Sequence, residues 1–174
     1  MAAAIATLLI DLELEAVAYM RPLALRGQDR IVGSGFEHAE AGVRLIGSGG
    51  RSIVARWAQS GVDEFLWIGD SMDAVVGDWV PEIEEVEVAS WRSVIGKRIV
   101  SVGVAWQRIE DTKYEAWSLR LDFEPESIVI ALGERDWPSN EVTYIPDCVV
   151  VIFDPPIARA YTPAASIGSA WCEL

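Results

Sequence analysis

From Trp117 to Gly133 the chain alternates. Trp117, Leu119, Leu121 and Phe123 fall on one parity and Ser118, Arg120 and Asp122 on the other, Glu124-Pro125-Glu126 interrupts, and Ile128, Val129 and Ile130 resume an apolar run. A period of two marks a strand with one buried face, and two such runs around turn residues predict a β-hairpin. The pattern has an upstream echo. Val43-Arg44-Leu45, the Gly47-Ser48-Gly49-Gly50 turn and Ser52-Ile53-Val54 match Leu119-Arg120-Leu121, the Glu-Pro-Glu turn and Ser127-Ile128-Val129.

The other segments follow from the same pattern. Ile10, Leu12, Leu14, Ala16 and Ala18 alternate with Asp11, Glu13 and Glu15, which predicts a strand between Leu8 and Met20, with a helix as the alternative given the good helix formers there. Pro22 interrupts the ladder, and Arg30-Ile31-Val32 between Gly27 and Gly33 reads as a short strand. Phe36 to Gly42, with Glu37, His38 and Glu40, reads as a polar connector. Glu64 to Ile68 is a strand stopped by Gly69-Asp70-Ser71, and Asp73 to Pro81 bridges two halves. The second half opens with Glu82, Glu84, Glu85 and Glu87 interleaved with Ile83, Val86 and Val88. Val94 to Gly103 resembles Leu25 to Gly35, and Glu141 to Asp147 resembles Glu64 to Asp70. Val149 to Phe153 is apolar throughout, as a strand covered on both faces is. Asp154 is placed to cap a short helix opening on Pro155 and Pro156 and running through Ile157, Ala158 and Tyr161 to Pro163. Ala164 to Leu174 is expected to lie loosely along the body.

These matches predict a mainly β fold: one domain over residues 1–174, an internally duplicated antiparallel β-sandwich or barrel of about eight strands with a short C-terminal helix. The halves fall at about 8–76 and 82–153, with the helix and tail over 154–174.

Charge narrows the function classes. The chain of 174 residues carries 27 acidic against 14 basic side chains, a net charge of −13. Such a field repels nucleic acid and anionic membranes and attracts a basic protein. Cys148 and Cys172 give neither a disulfide framework nor a metal-ligand spacing. The apolar N-terminus lacks a basic stretch before it, and no run is long enough to span a bilayer, so a cytoplasmic protein is expected.

Candidate chemistry is sparse. His38 is the one histidine, no nucleophile motif accompanies it, and Glu37-His38-Ala39-Glu40 is thin as a metal site, so His38 is expected on the surface and neither metal nor cofactor is expected. Gly47 to Gly50 lies between strands, which makes it a hairpin turn and not a phosphate cradle. The acidic pairs Glu124/Glu126 and Glu134/Asp136 sit in turns and arise without cause among 27 acids, so they do not point to acid–base catalysis, and Asp70 and Asp147 are most simply turn caps.

Two function classes remain. The preferred one is a non-enzymatic acidic binding protein that docks or inhibits a basic partner protein, with Trp79, Trp137, Trp171, Glu84, Glu85 and Glu87 as candidate interface residues. In composition the chain is similar to small acidic β-rich proteins that neutralise cationic toxins in bacteria, a similarity that implies an immunity-like role and carries over no residue. The alternative is a small-molecule-binding or catalytic barrel, its site in the groove between the halves and lined by Arg44, Arg120, Asp70 and Asp147. For the two arginines, cross-strand pairing with Asp122 or a nearby Glu is the simpler role. Of the eight tryptophans, Trp57, Trp67, Trp106 and Trp117 are expected in strands and mostly in the core. A homodimer is a further possibility for the apolar excess.

Overall fold

The predicted alternation becomes strand at almost every place it occurs. A computed structural model describes residues 2–22, 32–33, 35–70, 81–85, 89–108, 114–135, 142–143, 145, 147–160 and 171–174. Over these residues the chain forms α1 (Ala2–Leu9), β1 (Leu14–Pro22), β2 (Val32–Gly33), β3 (Phe36–Glu40), β4 (Gly42–Gly47), β5 (Ser52–Ser60), β6 (Asp63–Gly69) and β7 (Pro81–Glu85). It continues with β8 (Ser101–Arg108), β9 (Tyr114–Asp122), β10 (Ser127–Leu132), β11 (Glu134–Arg135), β12 (Val142–Thr143), β13 (Val149–Ile152), α2 (Pro155–Ala160) and β14 (Cys172–Glu173). The bridge over 73–80 and the side chains of β7 lie outside the described residues.

One curled sheet dominates, in the order β14-β8-β9-β10-β13-β3-β1-β4-β5-β6, with β2 on β3, β7 on β1, and β11-β12 as a separate ladder. The sheet contains two antiparallel four-stranded meanders, β8-β9-β10-β13 and β1-β4-β5-β6, joined through β3. It curls far enough for β6 to lie against β9 and β10. The fold is therefore mainly β, a rolled half-barrel with a short helix after its last long strand. The enclosed core draws on both meanders: Val17, Tyr19, Leu45, Ile53 and Leu66 pack with Val102, Trp117, Leu119, Leu121, Ile130 and Val151. Outside the roll, α2 covers Val129, Ala131, Val150 and Ile152, with Phe36 in the same cluster. The helix is capped as expected, Ile157 N donating to Asp154 Oδ1 at 3.1 Å.

The two echoing hairpins have the same register. Arg44, Leu45 and Ile46 stand opposite Val54, Ile53 and Ser52, while Arg120, Leu121 and Asp122 stand opposite Val129, Ile128 and Ser127. In both, the Leu and Ile face the enclosed core and the Arg faces outward. The other matched segments occupy different places. Gly35 precedes β3 and Gly103 lies within β8; Ile68 sits in β6, whereas Val142 and Thr143 pair with β11 away from the main sheet.

Three expectations are corrected. Residues 36–40 are not a connector but β3, a strand inside the sheet with Phe36, Glu37, His38 and Ala39 buried. Polar residues mimicked a loop because both faces of the strand are covered, Ala39 lying in the enclosed core and Phe36 in the cluster under α2. The first strand begins at Leu14, and residues 2–9 are helical, with Ile5 and Leu9 one turn apart and buried. The end of the chain is held: β14 pairs with β8, Leu174 N donates to Val102 O at 2.9 Å, and Leu174 packs on the core.

Candidate functional site

The outward face carries the two matched arginines. Arg44 Nε donates to Ser52 Oγ at 2.6 Å across its hairpin. Arg120 pairs with Asp122 at 3.1 Å, the expected partner but along its own strand and not across strands, and lies 5.4 Å from the centroid of the Trp171 ring. Asp122 also accepts from Ser101 and Ser127, each at 2.6 Å. Asp70 and Asp147 are exposed, the one after β6 and the other in the turn before β13. No hydrogen bond or ion pair among the described residues links these four predicted groove residues to one another. Trp171 is half-buried against the α2 cluster. Glu84 and Glu85 lie in β7, and Trp79, Trp137 and Glu87 are outside the described residues.

What the sheet brings together is different. His38, expected on the surface, is 6% exposed on β3, and its Nδ1 lies 3.6 Å from Cys148 Sγ. The register that sets Val150 opposite His38 and Val149 opposite Glu40 gathers this pair. A sequence scan misses it because the partners are distant in the chain and Cys148 belongs to no motif. The geometry resembles a nucleophile beside its base, but the electrostatics oppose that role. Burial, followed by the charges of Glu40, Glu134 and Asp147, pushes the Cys148 thiol up to about 12, so thiolate is scarce at neutral pH.

The carboxylates around this thiol are the more distinctive feature. Glu40 ends β3, Glu134 begins β11, and Asp147 lies beside Cys148 in the chain. Asp147 also acts on Glu64 of β6, whose carboxyl is raised by partial burial first, then by Asp147, against a lowering hydrogen bond from Trp57. Among the described residues, none of these four carboxylates has a salt-bridge partner. The result is an acidic pole drawn from β3, β6, β11 and the turn before β13. No group of His, Cys, Asp and Glu among the described residues is arranged to hold a metal ion.

A second polar cluster is enclosed. Trp91 Nε1 donates to Tyr19 Oη at 2.8 Å, and Tyr19 Oη donates to Glu37 Oε2 at 2.7 Å. Trp91 meets Phe153 edge to face at 5.1 Å. Glu37 Oε1 is buried without a hydrogen-bond partner among the described residues. Trp91 sits in a 3₁₀ turn over Ala89–Ser93 and is 1% exposed.

No family model, curated protein or solved structure matches the chain. Among the described residues, no helix is long and apolar enough to cross a membrane.

Proposed function

We propose that the protein is a non-enzymatic acidic binding protein whose pole of Glu40, Glu64, Glu134 and Asp147 docks a basic partner protein. The observation that carries this reading is the gathering of acids without a salt-bridge partner among the described residues, whose charges add to burial in raising Glu64 and Cys148. Bringing a cationic surface to the pole relieves that repulsion, so part of the binding energy is stored in the unbound protein. A thiol held at about 12 beside the one histidine argues against thiolate chemistry there. An immunity-like role, in which the partner is a cationic effector held inactive, is one form of this function. The groove alternative has less support, since Arg44 and Arg120 are engaged on the outer face. We also read the two hairpins as copies of one ancestral unit, on the strength of their shared register.

The test uses an oligolysine peptide titrated calorimetrically at low and at physiological salt. Binding is expected to weaken as the Debye length shortens from about 30 Å at 0.01 M to about 8 Å at 0.15 M. The Glu134→Gln and Asp147→Asn double variant should bind several-fold more weakly than wild type, and Glu15→Gln, exposed but elsewhere, should not. If the double variant binds as wild type does, the pole is not the docking site.

A further inference from the structure

The lip of the acidic pole is not only acidic. Glu64 is the second residue of β6, and the hairpin that leads into it has a two-residue tip, Gly61 and Val62, closed by Ser60 opposite Asp63. Of the two tip residues only Gly61 takes a positive φ, +66°, the glycine-first arrangement of a type II′ turn. The other central position suits a short polar residue that can bond to the turn backbone or meet water. Here it holds Val62, a β-branched apolar side chain that is 93% exposed, and a Cβ on the neighbouring Gly61 would meet nothing within 4 Å. The tip stands in open solvent, so Val62 is there neither for packing nor for turn chemistry.

An aromatic side chain is exposed on the same rim. Gln107 of β8 reaches over to β6, its Nε2 donating to Glu64 O at 2.6 Å, and ties the end of the β8–β9 pair to the start of β6. Across that pair Glu115 stands opposite Gln107 and Tyr114 opposite Arg108. Tyr114 is 46% exposed. Between Val62 and Tyr114 lie Asp63 and Glu64, with Asp147 acting on Glu64 through its charge. One exposed apolar side chain is ordinary on any surface; a tyrosine and a misplaced valine together beside clustered acids match the make-up of an interface, an aromatic anchor with a charged surround.

We infer that Val62 and Tyr114 are the apolar part of the partner's footprint, and that the basic partner docks through a segment with apolar residues interspersed among its lysines or arginines. This rests on the pole as the docking site and names the chemistry of what docks there. The acids fix the sign of the occupant: a second copy of this chain would bring a net charge of −13 and its own acids to the same rim. Charge attracts and orients the segment, and apolar contact that expels water supplies the part of the affinity that salt does not screen.

The experiment titrates two peptides with the same number of lysines, oligolysine and one with leucines interspersed, calorimetrically against the full chain at about 0.15 M and about 1 M salt. The leucine-containing peptide should bind on the order of 10-fold more tightly at the lower salt, and the ratio should widen at the higher, where charge is screened and apolar contact is not. Its binding should also carry the more negative heat-capacity change of apolar burial. In the Val62→Ser and Tyr114→Thr double variant the two peptides should bind alike, with oligolysine at its wild-type affinity. Val62→Ser alone, at an open turn tip, should fold as wild type does and lose part of the difference, and it decides if the double variant fails to fold. Ile95→Ser, at an apolar residue exposed elsewhere, before β8, should leave the difference intact. If oligolysine does not bind, the pole reading falls and this inference with it. If oligolysine binds but leucine adds nothing, or the difference survives in the double variant or vanishes in Ile95→Ser, the pole stands and the apolar footprint is overturned.

Discussion

Single side chains set the polar interior. Glu37 is 1% exposed and takes its hydrogen bond from Tyr19, which in turn accepts from Trp91. Removing the Tyr19 hydroxyl leaves a buried carboxylate without that donor, so Tyr19→Phe should cost about 1.5–3 kcal/mol in urea denaturation. In a Glu37→Gln background the same change should cost less, because a neutral amide loses less than an ion does. Equal costs in both backgrounds would show that the hydroxyl acts elsewhere. The sequence could not disclose this cluster, since an isolated Glu or His in a chain rich in acids reads as surface. Arg120 was legible because its partner Asp122 is two residues away on the same strand face.

At the level of elements, local pattern was informative wherever one face of a strand is buried. The two hairpins, β6, β13 and the Asp154 cap follow from period, turn residues and capping chemistry. β3 failed the same test because it is buried on both faces and carries Glu37 and His38 there, which erases the alternation. The two ends of the β4–β5 turn make a contrast that stability measurements can check. A Cβ on Gly47 would sit 2.2 Å from Leu12 Cδ1, and Leu12 is fully enclosed, so Gly47→Ala should cost about 1–3 kcal/mol through overpacking. At Gly49 nothing lies within 4 Å, and only its φ of +73° opposes a side chain. Gly49→Ala should therefore cost about 1 kcal/mol. A reversed order would mean that the Leu12 side chain gives way without loss.

For the whole molecule, charge and topology act together. The class of fold was readable because period two recurs along the chain; the strand order was not, because the β3–β13 pairing joins residues near opposite ends. The acidic pole exists only once that pairing is made, which is why no stretch of sequence displays it. Burial, and after it the charges of the pole, also leave a pH signature at Cys148. A thiol raised from 9.0 to about 12 in the folded protein contributes stability that is fully present below its unfolded value and lost as pH rises through its folded one. Stability should therefore fall between about pH 9 and pH 12, and Cys148→Ser should flatten part of that fall in denaturant melts. An unchanged alkaline slope in the variant would place the loss on other groups.

The central place of β3 also has a history in time. Phe36 pairs with Ile152 and Glu40 with Val149, so a ribosome adding about 5–20 residues per second exposes β3 for roughly 5 to 20 seconds before its partner is made. Through that wait the strand offers an open edge to every other nascent chain, and charges that point into the future core are among the devices that discourage such pairing. Glu37, 1% exposed on that strand, is an inward-pointing acid of this kind.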